Sequence, residues 1–236
     1  MKNNNMVKRY LELSMGILMI AVIYSFSTRT KQETISVYNQ TKDKIVVMVD
    51  AGHGGNDPGK VSINNDLEKD INLQIALKLE EILKGQDIEV VMTRRDDSAL
   101  YEEGVSNKKN SDMRKRVELS KEKNVDLIVS IHSNSYIEES VCGAQVFYFK
   151  GSEDGKLLAE SIQDDISKVS VLNNKRVAKV NSDYYLLRNV TAPAVIVECG
   201  FLSNVQEAAL LKNNEYQRKI AWSIHLGIME YINKKY

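Results

Sequence analysis

Apolar residues fall into two rhythms along the chain. Short unbroken runs occupy 44–50, 88–92, 126–132, 144–149 and 194–199, and "YYLLRN" at 184–189 has a strand-like composition. Runs of this length, rich in Val and Ile, predict strands, and "KIVVMV", "DLIVSI" and "AVIVE" lack the alternation of a half-exposed strand, so they read as central strands covered on both faces. Between them apolar positions recur at three and four. Leu67, Ile71, Ile75, Leu79 and Ile82 form one helical stripe, with Asn65 as its N-cap and Gly85 as its C′ residue. Segments 114–123, 152–169 and 216–232 read as further helices. The alternation predicts an α/β fold: a single domain with a mostly parallel, twisted central sheet of about six strands, flanked by helices on both faces.

The N-terminus has a different pattern. Lys2, Lys8 and Arg9 precede residues 13–26, which carry no charge. A basic region followed by ~7–15 apolar residues describes an export signal, whereas a membrane span usually needs ~20. Residues 1–27 are therefore an export signal or signal-anchor, and cleavage before Thr28 and retention both stay open. Residues 28–43 are polar and aperiodic, a linker. The folded domain is 44–236.

Charge and composition narrow the function. Lys+Arg and Asp+Glu balance at 32 each and aromatics are 7%. That argues against nucleic acid as a partner, because neither a basic excess nor a stacking platform is present. Contact with membrane is confined to the N-terminal segment. Two cysteines, Cys142 and Cys199, are too few for a disulfide scaffold, and a single bridge is left open.

Open α/β sheets bind ligands beyond the carboxyl ends of their strands. His53 follows the first strand, His132 ends "DLIVSIH" and Glu198 ends "AVIVE"; Glu68 opens the long helix fed by the His53 loop. Two imidazoles and a carboxylate with an open fourth position make a known type of catalytic zinc site, and a second carboxylate outside the ligand set would serve as general base. Dispersed spacing alone leaves the metal open. In "GHGGNDPGK", Gly54 and Gly55 permit positive φ and close approach of a substrate. Asp57 either takes the second N–H of a ligand histidine or belongs to a plain Asn-Asp-Pro-Gly turn, the simpler reading.

Five blocks in order, "DAGHGGNDPG", "EKDINLQIALKL", "VVMTRRDD", "DLIVSIHSN" and "YYLLRNVTAPAVIVECGFLSN", resemble the zinc-dependent N-acetylmuramoyl-L-alanine amidases from about Ile45 to Ile232. The resemblance implies that His53, Glu68 and His132 hold one zinc ion, that Glu198 is the catalytic base, and that Arg188 acts on the substrate or the oxyanion. It implies hydrolysis of the amide between the lactyl group of N-acetylmuramic acid and L-alanine of the peptidoglycan stem peptide. A single compact domain behind an export segment is most similar to the spore-cortex branch, the CwlD-type amidases, in which stripping of stem peptides precedes muramic-δ-lactam formation. That branch would place the protein in the forespore intermembrane space. The family's "R-x-x-x-A-N" reads "RVELSK" here, with Ser120 and Lys121 in place of Ala-Asn. The span between His132 and Tyr184 is filled by a strand, a helix and a short strand, so no metal-plugging helix is expected and an activator protein is a candidate partner. The alternatives are another zinc-dependent wall hydrolase, a peptidase or deacetylase, and a catalytically weak wall-binding protein that needs a partner.

Other tempting residues have plainer readings. His225 is a packed or rim histidine on the last helix, Cys199 a buried thiol facing away from Glu198, and Trp222 a core residue. Arg94 stands between a site role and an ion-pair network, and Asn134 between lining the cleft and closing a turn.

Overall fold

The computed structural model describes residues 15–20, 44–101, 104–169 and 174–236. The chain divides into Met1–Asp43 and Lys44–Tyr236. In the first unit residues 15–20 are helical and exposed; the rest of the expected export signal and the linker lie outside the described residues. Among the described residues no helix is long and apolar enough to cross a membrane.

In Lys44–Tyr236 the elements follow as β1 (Val46–Ala51), α1 (Glu68–Lys84), β2 (Glu89–Met92), α2 (Lys108–Glu122), β3 (Leu127–Asn134), β4 (Gln145–Tyr148), α3 (Glu153–Val169), β5 (Lys179–Val180), α4 (Tyr185–Asn189), β6 (Ala194–Phe201), α5 (Val205–Lys212) and α6 (Asn214–Lys235). The sheet order is β2-β1-β3-β6-β4-β5. β2, β1, β3 and β6 run parallel, and β4 is antiparallel to β6. This is the expected six-stranded α/β sheet.

Strand alternation sorts the chemistry. Val47, Val49 and Ala51 of β1, Leu127, Val129 and Ile131 of β3, and Val195, Val197 and Cys199 of β6 face the larger core with α1, α3 and α6. Met48, Ile128 and Ile196 face a smaller core with Val117 of α2 and Leu186 and Leu187 of α4. Asp50, His132 and Glu198 share the parity of that second face, because successive side chains point to opposite sides. At their carboxyl ends His132 pairs with Glu198, and the register slips before Asn134 pairs with Phe201. Such irregularities beside a site re-aim side chains.

Several local expectations are corrected. Residues 184–189 are not a strand: both places beside β6 are taken by β3 and β4, so "YLLRN" crosses the face as α4 and buries Leu186 and Leu187. The sixth strand is the short β5. Asn65 does not cap α1; it sits at φ 64°, and the cap position is Leu67. Loop carbonyls do the capping, with Glu68 N–H donating to Lys60 O at 2.9 Å and Lys69 N–H to Pro58 O at 3.1 Å. Gly85 ends α1 in right-handed geometry, φ −68°, and the left-handed residue is Asp87. α2 starts at Lys108, earlier than the apolar pattern indicated, because the Asn107 side chain accepts from Asn110 N–H. α5 was not foreseen. Trp222 is 50% exposed, since α6 faces the core through Ile220, Ile224 and Ile228. Cys142 and Cys199 are free, and Cys199 is buried as expected.

Candidate active site

β1 delivers the chain into Gly52 and His53 at the end of the sheet. His53 has φ 63°, a left-handed conformation that costs a non-glycine residue about 1–2 kcal/mol. Two buried arginines hold this turn. Arg116 donates through Nη2 to His53 O at 2.9 Å and through Nη1 to Ala51 O at 3.1 Å, while Nη1 also pairs with Asp50 and Nε with Asp112 at 2.6 Å. Arg94 gives N–H bonds to the carbonyls of Ala51, Gly52, Lys69 and Asp96. Arg94 thus supports the ligand loop as a backbone clamp, and among the described residues it has no carboxylate hydrogen-bond partner.

His53, Glu68 and His132 meet at one point. His53 Nε2 and His132 Nδ1 each lie 3.1 Å from Glu68 Oε1, and one ligand atom from each residue falls within 4.8 Å of the others. Glu68 is 3% exposed. Burial alone would raise its carboxyl, but hydrogen bonds with His132 and His53 hold it far below the usual carboxylate range. Its position is fixed by Asn72 Nδ2 at 3.2 Å, Ser133 N–H at 3.2 Å and Lys60 N–H at 2.8 Å. Asp57 Oδ2 lies 2.9 Å from His53 Nδ1, so the residue read as part of a plain turn also orients the imidazole. Against burial, which lowers it, Glu68 and Asp57 raise the His53 pKa.

Glu198 stands apart from this trio. It is 7% exposed, Oε1 accepts from Tyr184 Oη at 3.1 Å, and Oε2 has no hydrogen-bond partner among the described residues. Burial pushes its carboxyl above the ordinary value despite the opposing pull of His132 and Tyr184. A buried carboxylate oxygen without a partner is costly unless a ligand or substrate completes it. The trio, Glu198 and Tyr184 line one cavity of about 820 Å³, which also takes in Gly54 and Asn134.

A scan against family models matches residues 47–230 to N-acetylmuramoyl-L-alanine amidase. The chain belongs to the N-acetylmuramoyl-L-alanine amidase family. It is 35% identical over 232 residues, 96% of each chain, to the germination-specific N-acetylmuramoyl-L-alanine amidase of Bacillus subtilis (strain 168). Among solved structures it is similar to the CwlD amidase of Clostridioides difficile in complex with the GerS lipoprotein (TM-score 0.79, 41% identity, 81% of this chain and 100% of that one). A second similar structure is the catalytic domain of CwlV from Bacillus (Paenibacillus) polymyxa var. colistinus (TM-score 0.71, 33% identity, 81% and 99%). The activity is hydrolysis of the amide between the lactyl group of muramic acid and L-alanine.

The amidase's other sequence-expected residues fall in different places. Asn134 lines the cavity, and its Oδ1 accepts from Ser135 N–H at 2.8 Å. Arg188, which the resemblance assigned to the substrate or the oxyanion, is exposed on α4 and is not among the lining residues. The loop glycines serve the protein before any substrate. A Cβ on Gly52 would sit 2.4 Å from the His132 ring, and one on Gly59 would sit 2.5 Å from Glu68 Oε2 and 2.8 Å from His53 Cδ2. Gly54, at φ 134°, lies where a Cβ would strike Ser98 O at 2.3 Å. Gly55 is pinned by Asp97, which accepts from its N–H at 3.0 Å, and it does not line the cavity.

Four contributors to the amidase site escaped the sequence reading: Asp50, Asn72, Arg116 and Tyr184. Asp50 was visible as a carboxylate inside an apolar strand. Asn72 was visible one helical turn from Glu68 on the same face. Arg116 was noted only as part of a motif. Tyr184 carried no signal of its own, because the segment read as a strand.

Proposed function

We propose that this amidase is zinc-dependent, with His53, Glu68 and His132 as ligands and Glu198 as general base. The donor set fits the ion: two imidazole nitrogens and a carboxylate oxygen converge, and glycines at 52 and 59 leave space for the side chains that carry them. Zinc held there would polarise the scissile carbonyl and make water a stronger nucleophile. The chain's own groups do the rest. Glu198 Oε2, unpaired in the cavity, takes a proton from the attacking water and passes it to the leaving nitrogen of L-alanine. Its raised pKa makes it a better base, and Tyr184 holds the other oxygen in place. Asn134 and Gly54 contact the substrate from the wall, and Gly55 supports the loop. Arg188, outside the lining, acts on outlying glycan or peptide and not on the oxyanion.

The observation that carries this reading is the unpartnered, buried carboxylate oxygen in the same cavity as the His-Glu-His cluster. The experiment uses purified, zinc-loaded protein on peptidoglycan, with new L-alanine amines identified by mass spectrometry. Glu198→Ala should cut cleavage about 10²–10⁴-fold while zinc content and fold are kept. Near wild-type cleavage by that variant would remove Glu198 from the base role. Release of acetate or of internally cut peptides would identify a different wall hydrolase.

The similarity to a germination-specific amidase and to CwlD supports a place in spore-cortex maturation, outside the cytoplasm, with residues 1–27 as the export or anchoring segment. The neighbour solved with a lipoprotein supports a partner protein for this chain as well. Spores lacking the protein should have a cortex without muramic δ-lactam; a normal lactam content would exclude that role.

A further inference from the structure

The charges lining the cavity do not balance locally. Five of its carboxylates are committed: Asp50 and Asp112 to Arg116, Asp57 to His53, Glu68 to the two histidines, and Glu198 to Tyr184. Among the described residues, Asp183, beside Tyr184, is the one lining carboxylate without such a partner. Among the cations, Arg116 is spent on Asp50 and Asp112. Lys60, Lys108 and Lys109 also line the cavity, and none of them pairs with a carboxylate among the described residues.

Their placement is not explained by stability. Lys108 and Lys109 occupy the first turn of α2, which holds no acidic residue, whereas α1, α3, α5 and α6 each carry one there. A cation at a helix N-terminus opposes the helix dipole and costs a few tenths of a kcal/mol, up to about 1 kcal/mol. Lys108 is steered by Tyr101, whose ring centroid lies 5.3 Å from Nζ. Lys109 lines the same cavity as His53 and Asp57 of the ligand loop. Lys60 is anchored at its backbone, where its N–H donates to Glu68 Oε2, so its side chain leaves directly from the ligand cluster. The buried, unpaired Glu198 Oε2 in the same cavity shows independently that this space awaits a ligand.

We propose that Lys60, Lys108 and Lys109 form a carboxylate subsite that binds the acidic second residue of the stem peptide, next to the L-alanine whose amide is cut. This rests on the zinc-amidase reading of the site. The free carboxylate of a γ-linked D-glutamate lies within one residue of the scissile bond. A flexible ammonium suits it as a point charge, without the bidentate geometry that arginine demands. The same subsite would disfavour peptides in which that carboxylate is amidated.

The test compares two glycan-peptide substrates that differ only in D-glutamate or D-isoglutamine at the second position, cleaved by the full zinc-loaded chain. Wild type should prefer the carboxylate by about tenfold or more in kcat/KM, mainly through KM, and the preference should shrink as salt rises. The triple variant Lys60→Gln, Lys108→Gln, Lys109→Gln should bring the ratio between the two substrates close to one. Its thermal melting should not fall, since these side chains are exposed and the loss of Lys108 and Lys109 relieves an unfavourable interaction with the helix dipole. Equal cleavage of both substrates by wild type, or a preference that survives the triple change, would overturn the subsite and leave the amidase intact. Cleavage of neither substrate by wild type would instead remove the amidase reading on which the subsite depends.

Discussion

Replacing Arg116 with methionine should destabilise the domain sharply, and the structure says by how much. Arg116 is 2% exposed and pairs with Asp50, also 2% exposed. Ala51 O keeps its bond from Arg94 after the change, but Asp50 is left with the neutral hydroxyls of Ser130 and Thr93 and His53 O loses the Arg116 bond. Leaving one charge of a buried pair alone typically costs about 3–5 kcal/mol. For a domain of this size each kcal/mol moves Tm by roughly 2–4 °C, so the loss should be on the order of 10 °C. Calorimetry and urea unfolding of the full chain, with metal chelated, measure it. Adding Asp50→Asn in the Arg116→Met background should recover half or more of the loss, since no charge is then stranded. The pH dependence has a sign. Burial would raise the Asp50 carboxyl, but Arg116 and Ser130 hold it below its ordinary value. The pair's contribution is therefore complete above the unfolded value of about 4 and is lost as pH falls through the lower folded value. Without Arg116 burial dominates and Asp50 titrates high, so the variant gains stability as pH drops from neutral toward 4. The gap between the two proteins should narrow over that range. A loss under about 1 kcal/mol, no recovery in the double variant, or a pH-independent gap would refute the reasoning.

Other expectations follow from the same geometry. Tyr184→Phe removes the hydroxyl that helps lower the Glu198 carboxyl against dominant burial, so the acidic limb of kcat/KM should move up by about one pH unit; an unmoved limb would mean that this bond is idle in the working enzyme. Gly59→Ala places a Cβ 2.5 Å from Glu68 Oε2 at a backbone φ of 69°, and competition with a chromophoric chelator should show zinc affinity down by at least about tenfold. Zinc at a hundred times its Kd should stabilise the folded chain by about 2.7 kcal/mol, read as a rise in Tm that a chelator reverses and that Glu68→Gln abolishes.

The sequence disclosed the chemistry better than its support. His53, His132 and Glu198 could be placed because each ends an apolar run, and parallel strands bring their carboxyl ends to one edge of a sheet. Glu68 followed from the helix stripe. Cys199 could be turned away from the site by strand parity alone. The failures share a cause. Asn65 looked like a cap, but the carbonyls of Pro58 and Lys60 had already taken the first N–H groups of α1. "YYLLRN" had a strand's composition, but β6 had no free side to pair with. In both, a tertiary partner overrode a local preference.

The same argument locates what makes this site an active site and not merely four polar residues at strand ends. His53 must hold a left-handed backbone, and nothing in "AGHGG" enforces it. The enforcement comes from Arg116, which reaches His53 O across 63 residues of chain and Asp50 across 66, and from Arg94, which reaches Gly52 O across 42. Those contacts exist only once β1, β2 and α2 are assembled. The ligand geometry is therefore a consequence of the folded core and cannot persist in a locally structured loop. A chain that loses the Asp50–Arg116 pair but still folds should keep its three ligand residues and yet bind zinc less tightly. Measuring affinity and stability on the same variant separates the two effects. A variant destabilised as predicted but with wild-type zinc affinity would show that the loop shapes itself, contrary to the role assigned here to the arginines.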